Sequence, residues 1–189
     1  MFKIPLPSWA IRQASRFLDI ESSGETAVVD NRIHEYAFVL SEIAKIPVGT
    51  LIDVGCAARL NTVPAFACRL GWKVYGLDKR IWTYKHDNFH PMVQDIDKPF
   101  NPDIFNVVVA LSTVEHIGMA GRYGIRYQND NADIEALENL YVATKKGGTL
   151  LLTVPYTFGD YEKKPLGRVY DNNRLSMLLL KWSVIFKEV

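Results

Sequence analysis

Short apolar runs recur along the chain from residue 50 onward, and helically spaced segments separate them. "TLIDV" (50–54), "KVYGLD" (73–78), "PMVQDI" (91–96), "DIFNVVVALS" (103–112), "GTLLLTVPY" (148–156) and "SVIFKEV" (183–189) read as strands. They are short, rich in β-branched residues and closely bounded by Gly, Pro, Asn or Asp. Residues 31–46 place Ile33, Tyr36, Ala37, Leu40, Ile43 and Ala44 at helical spacing, and Pro47 and Gly49 end that pattern. Further helices are predicted over 8–18, 62–70, 131–146 and 172–182. The helix over 62–70 carries Pro64 in its first turn and Gly71 as its stop, and that over 172–182 follows Asp171.

Strands that alternate with helices predict an α/β fold, with a mostly parallel sheet of about six strands covered by helices on both faces. Apolar runs without in/out alternation fit strands buried on both sides. Residues 1–30 are read as an N-terminal helix and loop extension, and 31–189 as the sheet domain. In such a sheet ligands bind beyond the carboxyl ends of the strands, where the strand order reverses. Gly55, Asp78, Asp95 and Ser112 all fall at strand ends, so four signals converge on one edge.

The composition changes this picture little. The chain has 189 residues, 48% hydrophobic and 23% charged, with a formal net charge of +1. No basic run supports nucleic-acid binding, and no apolar run reaches the length of a membrane span. The segment "MFKIPLPSWAIRQ" lacks the apolar core and cleavage site of a signal peptide. Cys56 and Cys68 form no CxxC pair, so a disulfide framework is not expected and a cytoplasmic setting is the default. "HDNFH" (86–90) spaces two histidines four apart, but Pro91 argues against a helix there and no third ligand is evident, so no metal is expected.

The loop after the first strand, "GCAARL" (55–60), fails the dinucleotide fingerprint: Ala57 and Leu60 stand where glycines are needed for close approach to a pyrophosphate. A phosphate-free ligand asks less. It needs a tight turn, some backbone N–H groups and an acid for a ribose.

The segments "LIDVGCA", "VYGLD", "VQDI", "FNVVVALSTVEHIG", "KKGGTLLLTVPY" and "RVYDNNRL" together resemble the class I S-adenosylmethionine-dependent methyltransferases, in that family's order and spacing. "LSTVEHIG…GRYG" with "RVYDNNRL" is similar to a subset of small bacterial and archaeal members with poorly defined substrates. The resemblance implies a Rossmann-like doubly wound sheet, S-adenosyl-L-methionine as cofactor and methyl transfer to a small molecule. It puts Gly55 at the turn beside the methionine moiety, with Cys56 and Ala57 close by and Asp53 near the amino group. Asp78 matches the ribose acid, Lys79 and Arg80 flank the adenine, Asp95 and Ile96 match the adenine contacts, and Leu111 and Ser112 match the strand end passing the methyl. Arg59 departs from the family's frequent glycine, and is read either as reaching an anionic group or as pointing to solvent.

His116 and Glu115 follow the fourth strand and are candidate catalytic residues. A histidine suits proton transfer near neutral pH; the other reading is that the pair caps or orients the loop. Two aromatic and basic segments, 118–131 and 155–170, offer Arg122, Tyr123, Arg126, Tyr156 and Arg168 as candidate contacts for an anionic or sugar-bearing substrate, or are ordinary surface loops. A non-catalytic scaffold of this fold and an NAD-dependent oxidoreductase are the competing functions. The family's sheet has seven strands, and only six are read here. The expectation is therefore a homo-oligomer closing the C-terminal sheet edge, or else a chain shortened relative to a longer protein.

Overall fold

The computed structural model describes residues 31–185 except 58–60, 82, 122–124, 126–127 and 165–166. The predictions for residues 1–30, for Arg59 and for 186–189 lie outside the described residues. The described elements are α1 (Asn31–Lys45), β1 (Thr50–Val54), α2 (Thr62–Arg69), β2 (Lys73–Asp78), β3 (Phe89–Val93), β4 (Phe105–Leu111), a 3-10 turn (Val114–His116), α3 (Ala132–Ala143), β5 (Thr144–Thr153), β6 (Glu162–Lys164), β7 (Gly167–Val169) and α4 (Asn172–Leu178).

β1 to β5 form one parallel sheet in the order β3-β2-β1-β4-β5. The doubly wound architecture expected from the sequence is therefore present. Successive residues of a strand face opposite sides, and the two cores follow that rule. Leu51, Val107 and Val109 pack with Val39 and Ile43 of α1 and Ala67 and Cys68 of α2. Ile52, Val108 and Ala110 pack with Ala136, Leu137 and Leu140 of α3. Both faces are covered, which is why the strands read as unbroken apolar runs.

Three boundaries differ from expectation. The 131–146 helix ends at Ala143, where Thr144 turns to extended geometry and its hydroxyl donates to Leu140 O at 2.6 Å. The "KKGG" segment then enters β5 through an irregularity opposite Phe105–Val107. A Cβ on Gly148 would lie 2.9 Å from Lys145 O and 3.0 Å from Asn106 O, so the irregularity needs glycine there. β3 begins at Phe89, two residues earlier than read, and leaves Asp95 beyond its end.

The third difference is at the C-terminal end. The 172–182 helix stops at Leu178, and residues 183–185 are not a strand. The main sheet therefore has five strands among the described residues, not six. The segment read as a loop over 155–170 instead holds the β6–β7 hairpin, paired Glu162↔Val169 and Lys164↔Gly167. Among the described residues no helix is long and apolar enough to cross a membrane.

Candidate ligand site at the sheet switch point

From β1 the chain moves outward to β2 and β3, then returns to place β4 on the other side of β1. β1 and β4 stay paired to Val54↔Ala110, but the chain leaves them toward opposite faces, to α2 on one and α3 on the other, and a cavity of about 360 Å³ opens there. Such a crevice is the general ligand position in open α/β sheets. Asp53, Gly55, Cys56, Asp78, Lys79, Asp95, Ile96, Leu111, Ser112 and His116 all line it, although they come from widely separated segments.

The floor is the turn after β1. Gly55 has φ +74, and a Cβ there would lie 2.4 Å from the Thr113 side chain. Only glycine fits both the angle and the approach. The N–H groups that follow point into the sheet. Gly55 N–H donates to Leu77 O at 2.8 Å, Cys56 N–H to Leu77 O at 3.5 Å, and Ala57 N–H to Asp78 Oδ2 at 3.0 Å. This corrects the expectation of N–H groups free for the ligand: all three are already spent on β2 and its terminal acid. Ala57 does not line the cavity. Burial, reinforced by the charges of Asp53 and Asp78, pushes the Cys56 thiol well above its ordinary range, so it is no thiolate nucleophile.

Three acids step along the strand ends, and their environments differ. Asp53 is 5% exposed, and no hydrogen bond or ion pair among the described residues engages its carboxylate. Burial, and then the negative charge of Asp78, raise its pKa to about 8. Asp78 is opposite in character. Burial pushes its pKa up, but hydrogen bonds from the Arg80 side chain and from the Arg80 and Ala57 backbones, with the Arg80 charge, bring it below the ordinary value. Asp95 is paired with Lys79. Asn139 of α3 holds the following loop, its amide donating to Ile96 O at 3.2 Å.

The wall over β4 shows what the sequence did not reveal. Arg32 and Tyr36 of α1 line the cavity, and Glu35 accepts a hydrogen bond from the Ser112 hydroxyl. Ser112 has φ +41, an unusual backbone angle for a residue with a side chain. Its N–H donates to both Thr153 O and Thr153 Oγ1, which holds it there. Tyr36 shares a side-chain hydrogen bond with Thr62, and burial raises its pKa, with the nearby charge of Asp53 adding to the shift. The helical stripe over 31–46 gave Tyr36 as a core position; its hydroxyl was the one signal of a site role.

His116 faces the cavity, with Glu115 Oε1 3.5 Å from its Nε2. Glu115 itself is 3% exposed and does not line the cavity. A Cβ on Gly167 would lie 3.0 Å from His116 Nδ1, so the β6–β7 hairpin backs directly against the imidazole.

Arg168 requires correction. It is 1% exposed and does not face the cavity. Its guanidinium donates to Ile117 O at 2.6 Å, Glu115 O at 3.4 Å and Asn129 O at 2.9 Å. Asp133, fully buried, lies 3.7 Å from Arg168 Nε, accepts from Tyr170 Oη at 3.1 Å and pairs with Arg174 at 2.5 Å. "RVYDNNRL" is thus the buried clamp that ties the His116 turn to α3 and α4, rather than a substrate surface. The Tyr156 hydroxyl donates to Asn172 Oδ1 at 3.0 Å, away from the cavity. Arg122, Tyr123 and Arg126 lie outside the described residues. No group of acids, histidines and cysteines suited to a metal ion occurs among the described residues.

A family model described as "Caenorhabditis protein of unknown function, DUF268" matches residues 89–187, more than half of the chain. The chain belongs to the DUF268 family. The DUF268 match takes in Asp95, Ser112, His116 and the Arg168 clamp, while the Gly55 turn and Asp78 precede it. No curated protein matches the sequence. Among solved structures, the chain is similar to a Burkholderia thailandensis 1,6-didemethyltoxoflavin-N1-methyltransferase with bound 1,6-didemethyltoxoflavin and S-adenosylhomocysteine. The likeness has a TM-score of 0.59 at 14% identity, over 95% of this chain and 81% of that one, and shows a shared fold. A Methanococcus maripaludis protein described as a candidate S-adenosyl-L-methionine-dependent methyltransferase matches 79% of this chain and 66% of its own, at 15% identity and a TM-score of 0.42.

Proposed function

We propose that this DUF268 protein binds S-adenosyl-L-methionine and transfers its methyl group to a small molecule, with an anionic or sugar-bearing compound as the favoured acceptor class. The observation that carries the reading is Asp53: a buried carboxylate at the Gly55 turn that lines the cavity and has no partner among the described residues. Such a group asks for a cationic donor. An amino acid ammonium supplies one, and the ribose and adenine of an adenosyl ligand then fall toward Asp78 and Asp95. The bound S-adenosylhomocysteine of the Burkholderia enzyme, which shares the fold, supports the same ligand here.

The residues present fit that ligand better than a dinucleotide. The N–H groups of Gly55, Cys56 and Ala57 are turned onto Leu77 O and Asp78, so they offer nothing to a pyrophosphate. This argues against the oxidoreductase reading. The cofactor supplies an electrophilic methyl on a sulfonium; the chain supplies binding and placement. Asp53 holds the ammonium, Asp78 accepts from the ribose hydroxyls, and the Ile96 backbone with Asp95 borders the adenine. His116 takes the proton of a hydroxyl acceptor, and Glu115, 3.5 Å from Nε2, stabilises the imidazolium. Arg32, paired with Glu35 at 3.4 Å, adds positive charge at the cavity wall near an acceptor's anionic group.

Calorimetric titration with S-adenosylmethionine, S-adenosylhomocysteine and NAD tests the reading. Wild type is expected to bind the two adenosyl ligands and not NAD. Asp78→Ala should weaken them at least about tenfold, because charge-assisted hydrogen bonds contribute roughly 1.5–3 kcal/mol. Undiminished binding by the variant would remove Asp78 as the ribose acid, and binding of NAD alone would overturn the methyltransferase reading.

A further inference from the structure

The acid assigned to the ribose is already fully engaged by the protein itself. Both oxygens of Asp78 carry two hydrogen bonds. Oδ1 accepts from the Arg80 N–H at 2.9 Å and from Arg80 Nε at 3.0 Å. Oδ2 accepts from the Ala57 N–H at 3.0 Å and from Arg80 Nη2 at 2.9 Å. The Arg80 side chain thus grips Asp78 with its two-pronged fork, in the geometry that a pair of neighbouring hydroxyls would also use.

We propose that Arg80 is an affinity-determining residue that competes with the ligand's ribose diol for Asp78 and must be displaced when the ligand binds. The inference rests on the adenosyl reading of this cavity.

The two partners differ in how readily they let go. The Asp78 side chain is 7% exposed and the Arg80 side chain 50%. A half-exposed guanidinium can turn out into water and recover its hydration there. The neighbouring Ile81 is 86% exposed, so the chain beyond Arg80 already faces solvent. A buried carboxylate has no such option and needs replacement donors. Two ribose hydroxyls supply them one for one. The backbone N–H groups of residue 80 and Ala57 stay in place throughout, so Asp78 keeps one bond to each oxygen during the exchange. Binding is therefore an exchange of partners on one carboxylate, and the arginine lowers the observed affinity by the strength of its own grip. The same arrangement disfavours ligands with a single hydroxyl, which would release both prongs and replace one.

The test uses S-adenosylhomocysteine, which carries the ribose without a sulfonium charge, so that loss of the arginine's positive charge does not itself draw the ligand in. Titration calorimetry is run on wild type, Arg80→Ala, Arg80→Lys, Asp78→Ala and the Arg80→Ala/Asp78→Ala double variant. Arg80→Ala is expected to bind about tenfold more tightly than wild type, and Arg80→Lys to fall between them, since lysine keeps the charge but not the fork. The gain should vanish in the Asp78→Ala background. Equal or weaker binding by Arg80→Ala, with wild type still binding, overturns the competition and makes Arg80 part of the ligand's own contact surface. No binding by wild type or by Arg80→Ala overturns the adenosyl reading, and the proposal with it.

Discussion

Replacing Asp53 by asparagine separates what this acid does for the ligand from what it does to the fold. The Asp53 pKa is raised to about 8 from an ordinary 3.8, by burial and then by Asp78. A native state that holds this proton more tightly than the unfolded chain is favoured by it at low pH. That contribution is complete below pH 4 and is lost as pH climbs toward 8. The slope reaches about 1.4 kcal/mol per pH unit within that window. Asparagine mimics the protonated acid at every pH, so Asp53→Asn should match wild type near pH 4.5 and become progressively more stable above it. The cavity wall lets some water reach the group, so a gap of about 2 kcal/mol by pH 8 is the working figure, well under the full window. For a chain of this size that corresponds to roughly 4–8 °C in melting temperature. Thermal melts from pH 4.5 to 8.5 measure it. The ligand should respond in the opposite sense, with Asp53→Asn binding S-adenosylhomocysteine more weakly but adenosine, which lacks the ammonium, unchanged. Melting curves for the two proteins that stay parallel across pH would refute the argument, because Asp53 would then titrate as an ordinary surface acid.

Two other substitutions probe the neighbourhood of His116. Arg168→Met should cost about 3 kcal/mol in chemical denaturation, by releasing the carbonyls of Glu115, Ile117 and Asn129 and removing the positive charge 3.7 Å from buried Asp133; a change within about 0.5 kcal/mol would mean that the clamp is not structural. His116→Ala should lower turnover of a hydroxyl acceptor by about 10²–10⁴-fold while leaving S-adenosylhomocysteine affinity intact. The acceptor would be sought among small phosphorylated, glycosylated and carboxylated compounds. A matching loss of ligand affinity would instead assign His116 to holding the loop.

The parts of this site that sequence reading reached share one physical property: each is written locally. A buried parallel strand is a short apolar run, and the residue that ends it lands on the ligand edge by construction. That places Gly55, Asp78, Asp95 and Ser112 together without any knowledge of pairing. The parts it missed depend on contacts made across the chain. Glu35 reads as an exposed helix position, paired with Arg32 one turn before it; only the packing of α1 over β4 brings it to Ser112. Lys79 and Arg80 are expected to flank the adenine; that Lys79 pairs with Asp95 appears only once the ends of β2 and β3 lie side by side, whereas Arg80 grips an acid only two positions away.

Arg168 shows the same limit from the other side. An arginine in a polar, aromatic segment reads as a ligand contact, because a charged side chain is usually exposed. Its burial here is made possible by three carbonyls and by Asp133, and these lie 35 to 53 positions earlier in the chain. The hairpin that carries it has only three residues in each strand, too few to show an alternating pattern. Yet this hairpin places Gly167 against the His116 imidazole and fixes the turn that aims His116 at the cavity. Arg168, one of the candidate substrate contacts, therefore acts one layer behind the cavity. The cavity is lined from α1, the strand ends and the His116 turn, and that turn is held by a clamp whose Arg168 does not line the cavity.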